Sequence, residues 1–415
     1  MKINVIRLRS ALSEQQKDMI KENDNFIDEL NNELMNDDII LEENAKDAAF
    51  PIIFVESGGA EAPFLKIFDQ LEDPILLLSN GKNNSLPASL EIKTFITNNK
   101  KTCLLLTGEE EQIAGSIRNA ASIFGAIHAL NNCNLGVIGE PSDWLIASKV
   151  DYQIVKEKYG VNLIDISLDE FRSEVDKHII GDVPHMSQLE KRFKNKDTLD
   201  GALYFYSALK RIVEKYNLSG FTLRCFDLLE DYKNTSCLAF GLLNEEGITA
   251  ACEGDVPSLL TMYFIRALTG QPSFQANPST VNFKENTILF AHCTLPLNMA
   301  TKYTLTTHFE SGLGIGIKGE MPLGKISVLK LAPSLKSEES VGFNGDIKNN
   351  LSLPNYCRTQ IVVEPEEGGI FSLFKDNFGN HMIITYSDCV GSFFTLINLF
   401  DNRYDAMKEK EKEEK

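Results

Sequence analysis

Residues 253–255, Glu-Gly-Asp, close a run of small and β-branched residues, and an apolar helical pattern, "VPSLLTMYFIRALTG", follows at once. Side chains two apart on a strand point to the same face, which predicts that the Glu253 and Asp255 carboxylates lie together at a strand end. The carboxyl ends of strands in α/β sheets are where ligands gather. Paired carboxylates at such a place can hold a divalent cation or move protons. Asp255 has a second reading, as N-cap of the helix that begins near Val256-Pro257. Glu253 has no capping duty.

The C-terminal third adds His292 in "LFAHCTLP", His308 and Glu310 in "THFESG", and His381 in "GNHMIITYSD". One strand histidine is usually a hydrogen-bonded core residue, but three with three acids at strand edges point to a hard-cation or acid–base site. Mixed carboxylate and imidazole ligands suit manganese, magnesium or iron better than structural zinc. Arg358, in "CRTQ", is a candidate for an anionic group or for a core carboxylate. Trp144, the single tryptophan, sits in "PSDWLI", where its face could stack on a sugar ring or pack into the core.

The elements that must position these residues are of two kinds. From residue 50 the pattern is strand, turn, helix, recurring in "PILLLSNGKNNSLPASLEIKTFI", "TCLLLTGEEEQIAGSIRNAASIFGAIHAL" and "NLGVIGEPSDWLIAS". That grammar predicts βαβ units and a parallel sheet. After residue 285 alternating strands predict an antiparallel sheet or barrel appended to the α/β part. The expected domains are 1–150, 151–215 and 216–415. Residues 13–48 read as a solvated helix or a loosely held insertion, and the charged tail "MKEKEKEEK" as frayed. Glycines 312, 314, 316 and 319 fall in a strand pattern and predict a bent strand close to another backbone, not a nucleotide loop.

A net charge of −18 leaves no basic stripe for nucleic acid. The apolar runs are strand-sized, so no membrane span is expected, and the N-terminus lacks a signal-peptide core. Eight cysteines stand singly with no CxxC pair, which predicts reduced, buried thiols in a cytoplasmic protein.

"CEGDVPSLLTMYFIRALTG", "AHCTLP", "HFESG", "CRTQ" and "GNH", with "SLPASLEI", "VIGEPSDWLIAS" and "TLRCFDLL" upstream, resemble the L-fucose isomerase and L-arabinose isomerase superfamily, above all its shorter fucose isomerase-like members. The resemblance covers the chain from about residue 50. It implies an α/β fold with Rossmann-like N-terminal domains, a C-terminal α/β domain with a barrel-like antiparallel part, and a homo-oligomer, trimeric or hexameric. It also implies Mn²⁺-dependent interconversion of aldose and ketose forms of a small sugar of fucose or arabinose type, with Mg²⁺ or Co²⁺ as alternative ions. The family's Glu-x-Asp context matches Glu253-Gly254-Asp255, and its Asn-His pair matches Asn380-His381. The implied metal ligands are then Asp255, His381 and Glu253. The family's first glutamate ligand has no match here: Asp227, Glu230 and Asp231 are near, and Cys237-Leu238 fall where it is expected. Asp255, Glu253 or the upstream Asp227 would serve as base, with His308 and Glu310 relaying protons. His292, Arg358 and Trp144 would bind the sugar or its enediolate. An epimerase or isomerase of a modified sugar, and a non-catalytic sugar-binding protein, are the alternatives.

Overall fold

The computed structural model describes residues 1–13, 15–375 and 378–413. The chain divides into two compact units, one of Met1–His128 with Asn398–Lys415, the other of Ala129–Ile397. The expected boundaries at 150 and 215 both fall inside the second unit.

The first unit carries a five-stranded parallel sheet in the order Ile40–Glu42, Lys2–Leu8, Pro51–Val55, Ile75–Leu78, Cys103–Leu106. Strands Pro51–Val55, Ile75–Leu78 and Cys103–Leu106 read as continuous apolar runs because cores lie on both faces of the sheet. Ile52, Phe54, Leu76 and Leu78 join one core, and Ile53, Val55, Ile75 and Leu77 the other. The segment read as a solvated helix or a loosely held insertion is a helix, but one that packs into this core. Helix Lys17–Leu34 buries Met19, Asn23, Phe26, Leu30 and Leu34, and Ile40–Glu42 pairs with Lys2–Leu8. That stripe has helical spacing, but Asn23 within it and the polar residues around it hide it in the sequence.

The second unit opens with a four-stranded parallel sheet ordered Asn162–Ile166, Asn134–Ile138, Gly220–Leu223, Thr249–Cys252. Helix Cys237–Glu246 precedes the last strand and closes on Gly247, which takes left-handed backbone. Beyond helix Val256–Thr269 the expected antiparallel region closes into a six-stranded barrel. Its order is Phe274–Asn282, Thr287–His292, Thr359–Pro365, Val341–Asn350, Gly324–Lys330, Met382–Thr385. Closure leaves no free edge. His292, Lys330 and His381 come together through strand Phe274–Asn282: Asn277 is opposite Ala291, Ala276 is opposite Met382, and Leu329 is opposite Ile383 on the far side of Met382–Thr385. Strand Gly316–Glu320 pairs outside the barrel with Lys302–Thr306. Gly314 just before it does pass close to another backbone: a Cβ there would lie 2.5 Å from the Thr235 nitrogen. The charged tail is not frayed through Glu413, where helix Val390–Glu413 ends; residues 414–415 lie outside the described residues.

Candidate active site

Strand Thr249–Cys252 stops one residue short of Glu253. Glu253 and Gly254 both take left-handed backbone, at φ 66° and 72°. The Gly254 N–H donates to the Leu223 carbonyl at 3.1 Å, and the Glu253 carbonyl accepts from Ser142 N–H at 2.9 Å. A Cβ on Gly254 would meet the Glu140 carbonyl oxygen at 2.5 Å, so only glycine fits. The turn overrides the alternation expected of a strand. Glu253 and Asp255 therefore do not lie on one strand face; they enter different surroundings.

Asp255 is the N-cap of helix Val256–Thr269, accepting from Ser258 N–H at 2.9 Å. It is also wholly buried and fully engaged. Lys330, itself 1% exposed, donates to both its oxygens at 3.2 and 3.0 Å, and Ser258 Oγ–H and His381 Nδ1–H reach Oδ2 at 2.7 and 2.8 Å. Burial alone would raise its pKa, but the Lys330 ammonium and His381 hold it well below the usual carboxylate range. Capping and site-building are thus not alternatives here. The cap fixes the carboxylate that fixes His381.

Glu253 faces the other way. Its Oε2 accepts from Trp144 Nε1–H at 2.7 Å, and its Oε1 lies 3.5 Å from His381 Nε2 and 3.9 Å from His292 Nε2. The 3.5 Å separation is an ion-pair distance and too long for a good hydrogen bond. His381 Nε2 is accordingly a buried atom without a hydrogen-bond partner among the described residues. Burial opposes charge on both groups, yet the two carboxylates push His381 up to about 9, and the imidazoles hold Glu253 ionised below its usual range. His292 moves oppositely: burial lowers it, keeping its ring neutral, with Nδ1 paired to Thr294 Oγ1 at 2.8 Å.

Glu253, His292, His308 and Glu310 line one cavity of about 460 Å³, mouth included. His308 and Glu310 follow strand Lys302–Thr306, and His308 Nδ1 pairs with Ser311 Oγ at 3.1 Å. Burial and then the neighbouring His292 lower His308 to about 4, so it is neutral at pH 7. Burial and the Glu253 charge raise Glu310. Two carboxyls of opposite shift in one cavity are the pattern of an acid–base pair.

Other expected residues stand elsewhere. Asp227 does not line the cavity; it accepts from Arg224 Nε at 2.7 Å. Arg358 is not at the lining either, and donates to the Thr307 carbonyl at 2.6 Å and the His308 carbonyl at 3.3 Å. It pairs with these carbonyls and with Thr307 Oγ1 at 3.2 Å, and among the described residues with no core carboxylate. Trp144, 52% exposed, is not core; nor does a helix follow it directly, the next one starting at Tyr152. Its ring meets Phe226 edge-on at 4.9 Å, and Phe226 meets His308 at 5.5 Å. Sequence reasoning missed Lys330, which reads as one more strand residue, and Ser236 and Asn277. The last two line the cavity with buried side-chain oxygens that have no hydrogen-bond partner among the described residues. No local signal marks either.

Parallel strands meet a closed antiparallel barrel, with buried carboxylates and imidazoles between them, which is the architecture of an α/β enzyme. No family model matches the chain. Among curated proteins it is similar to the sulfoquinovose isomerase of Alkalicoccus urumqiensis, 21% identical over 332 residues, 77% of this chain and 75% of that protein. It is also similar to those of Priestia megaterium, 19% identical over 363 residues (81% of each chain), and of a Clostridium species, 23% identical over 318 residues (70% and 68%). In the described residues no helix is long and apolar enough to cross a membrane.

Proposed function

We propose that the protein interconverts the aldose and ketose forms of a sulfonated sugar through an enediol, with a divalent cation of the Mn²⁺ class. The modified-sugar reading is preferred to fucose or arabinose because the curated relatives it matches are named for sulfoquinovose. The observation that carries the chemistry is the buried His381 Nε2 facing Glu253 Oε1 at 3.5 Å, with no hydrogen-bond partner among the described residues.

The donor set fits such a cation. Glu253 and His381 offer one oxygen and one nitrogen, and Asp255 orients the imidazole through Nδ1, as outer carboxylates do for metal-bound histidines. Asp255 is not a direct ligand in this reading, because the Lys330 ammonium already holds it. When bound, the cation would stabilise developing negative charge on the sugar's O1 and O2. Glu310, with its raised pKa and cavity position, takes the proton from one carbon and returns it to the next. His308, neutral and anchored by Ser311, passes protons between hydroxyls. Ser236 and Asn277 supply unpaired buried polar atoms for sugar hydroxyls, and the exposed Trp144 face closes the rim.

Incubation with Mn²⁺ and sulfoquinovose in D₂O, followed by NMR, tests this. The expected result is ketose formation with one carbon-bound deuterium per turnover, and loss of at least about 10²-fold in kcat for Glu310→Gln. Ketose formed without deuterium would overturn the enediol route, and absence of turnover on sulfonated and unmodified aldoses alike would overturn the isomerase reading.

A further inference from the structure

Five of the eight cysteines, far apart in sequence, line the same cavity: Cys225, Cys237, Cys252, Cys293 and Cys357. The sulfurs of Cys225 and Cys252 are 3.3 Å apart. Cys225 follows strand Gly220–Leu223, and Cys252 ends the strand paired beside it. A sulfur of Cys252, a carboxylate oxygen of Glu253 and a ring nitrogen of His292 lie within 4.8 Å of one another, and all three residues are buried. His292 is prepared for a ligand's role, since Thr294 occupies Nδ1 and leaves Nε2 towards Glu253.

Thiolate, imidazole and carboxylate together form the donor set of a tetrahedral, zinc-like ion, not of manganese or magnesium. Zinc–sulfur bonds of about 2.3 Å put two sulfurs on one ion roughly 3.7 Å apart. The 3.3 Å separation is close to that, and Cys225, which stands outside the group formed by Cys252, Glu253 and His292, must swing its sulfur inward to complete the site.

We propose that Cys225, Cys252, Glu253 and His292 form a binding site for a thiophilic divalent cation of the zinc class, sharing only Glu253 with the hard-cation seat at His381. An ion there withdraws Glu253 from the hard-cation seat at His381, so zinc-class ions arrest turnover while manganese supports it. Binding rests on these four side chains alone; only the effect on turnover rests on the isomerase reading.

Co²⁺ added to the reduced, metal-stripped full chain is the probe. The expected spectrum shows thiolate-to-cobalt charge transfer with tetrahedral visible bands, saturating at one equivalent and displaced by Zn²⁺. Cys252→Ser should abolish the sulfur band. Cys225→Ser should weaken cobalt binding by about tenfold or more, since even outer-shell losses cost that much, while Mn²⁺ binding followed by electron paramagnetic resonance stays unchanged. If Cys252→Ser does not fold by circular dichroism, Cys225→Ser alone decides. Cobalt bound without a sulfur band, or a band unaltered by the cysteine substitutions, would overturn the site. Failure of the isomerase reading would leave the cobalt spectra as expected and remove only zinc inhibition.

Discussion

Asp255 holds four donors at once, and its substitution separates their roles. Asn still caps helix Val256–Thr269, because an amide oxygen accepts from Ser258 N–H as a carboxylate oxygen does. It cannot neutralise Lys330, which is buried with its ammonium against Asp255 and Ser258. Asp255→Asn should therefore destabilise the protein by about 3–5 kcal/mol, the usual cost of stranding one member of a buried ion pair. Lys330→Met in the same chain should restore much of that loss. Urea denaturation of the two single variants and the double variant measures it; additive losses would contradict a coupled pair.

At the scale of elements, the decisive feature is the two-residue left-handed turn between strand Thr249–Cys252 and its following helix. It swings Glu253 into the cavity while Asp255 turns back to the helix it caps. Gly254→Ala adds a Cβ at positive φ against the Glu140 carbonyl, which predicts a stability loss of roughly 1–3 kcal/mol. The distortion also moves Glu253, so kcat should fall more than KM rises. Wild-type stability in urea with normal kcat would show that the turn tolerates a side chain and does not aim Glu253.

For the whole molecule, the rim charges make stability depend on pH, and the proposed cation links that dependence to metal. His381 is raised in the folded state to about 9 from an ordinary 6.5. Its contribution is fully present below about pH 6.5 and is lost as pH rises through 9. Glu253 and Asp255 are lowered, so their contribution is present above the ordinary carboxylate range and lost as pH falls. His308 is lowered to about 4, and its contribution disappears as pH drops from 6.5 towards 4. With chelator, Tm should decline between pH 6.5 and 9; with Mn²⁺ that decline should shrink or reverse, because the ion and the His381 proton compete for Nε2. Parallel Tm profiles with and without Mn²⁺ would argue against His381 as a ligand.

The sequence by itself determined the local features of this molecule. Apolar runs alternating with helical patterns marked the parallel strands from residue 50 onward but not Lys2–Leu8 and Ile40–Glu42, period-two stretches marked the barrel strands, and Glu253, His292, His308 and Glu310 stood out by type and position. Only the tertiary structure decided which atoms meet. Lys330 reaches Asp255 across 75 positions, His381 reaches it across 126, and Cys225 meets Cys252 across two paired strands. Asp227, close in sequence to the same strand ends, is instead neutralised by Arg224. The physical reason is that periodicity records which face of an element is buried, a property of neighbours along the chain. Contacts among rim residues depend on barrel closure and strand order, which many distant packing terms set jointly and no single stretch records.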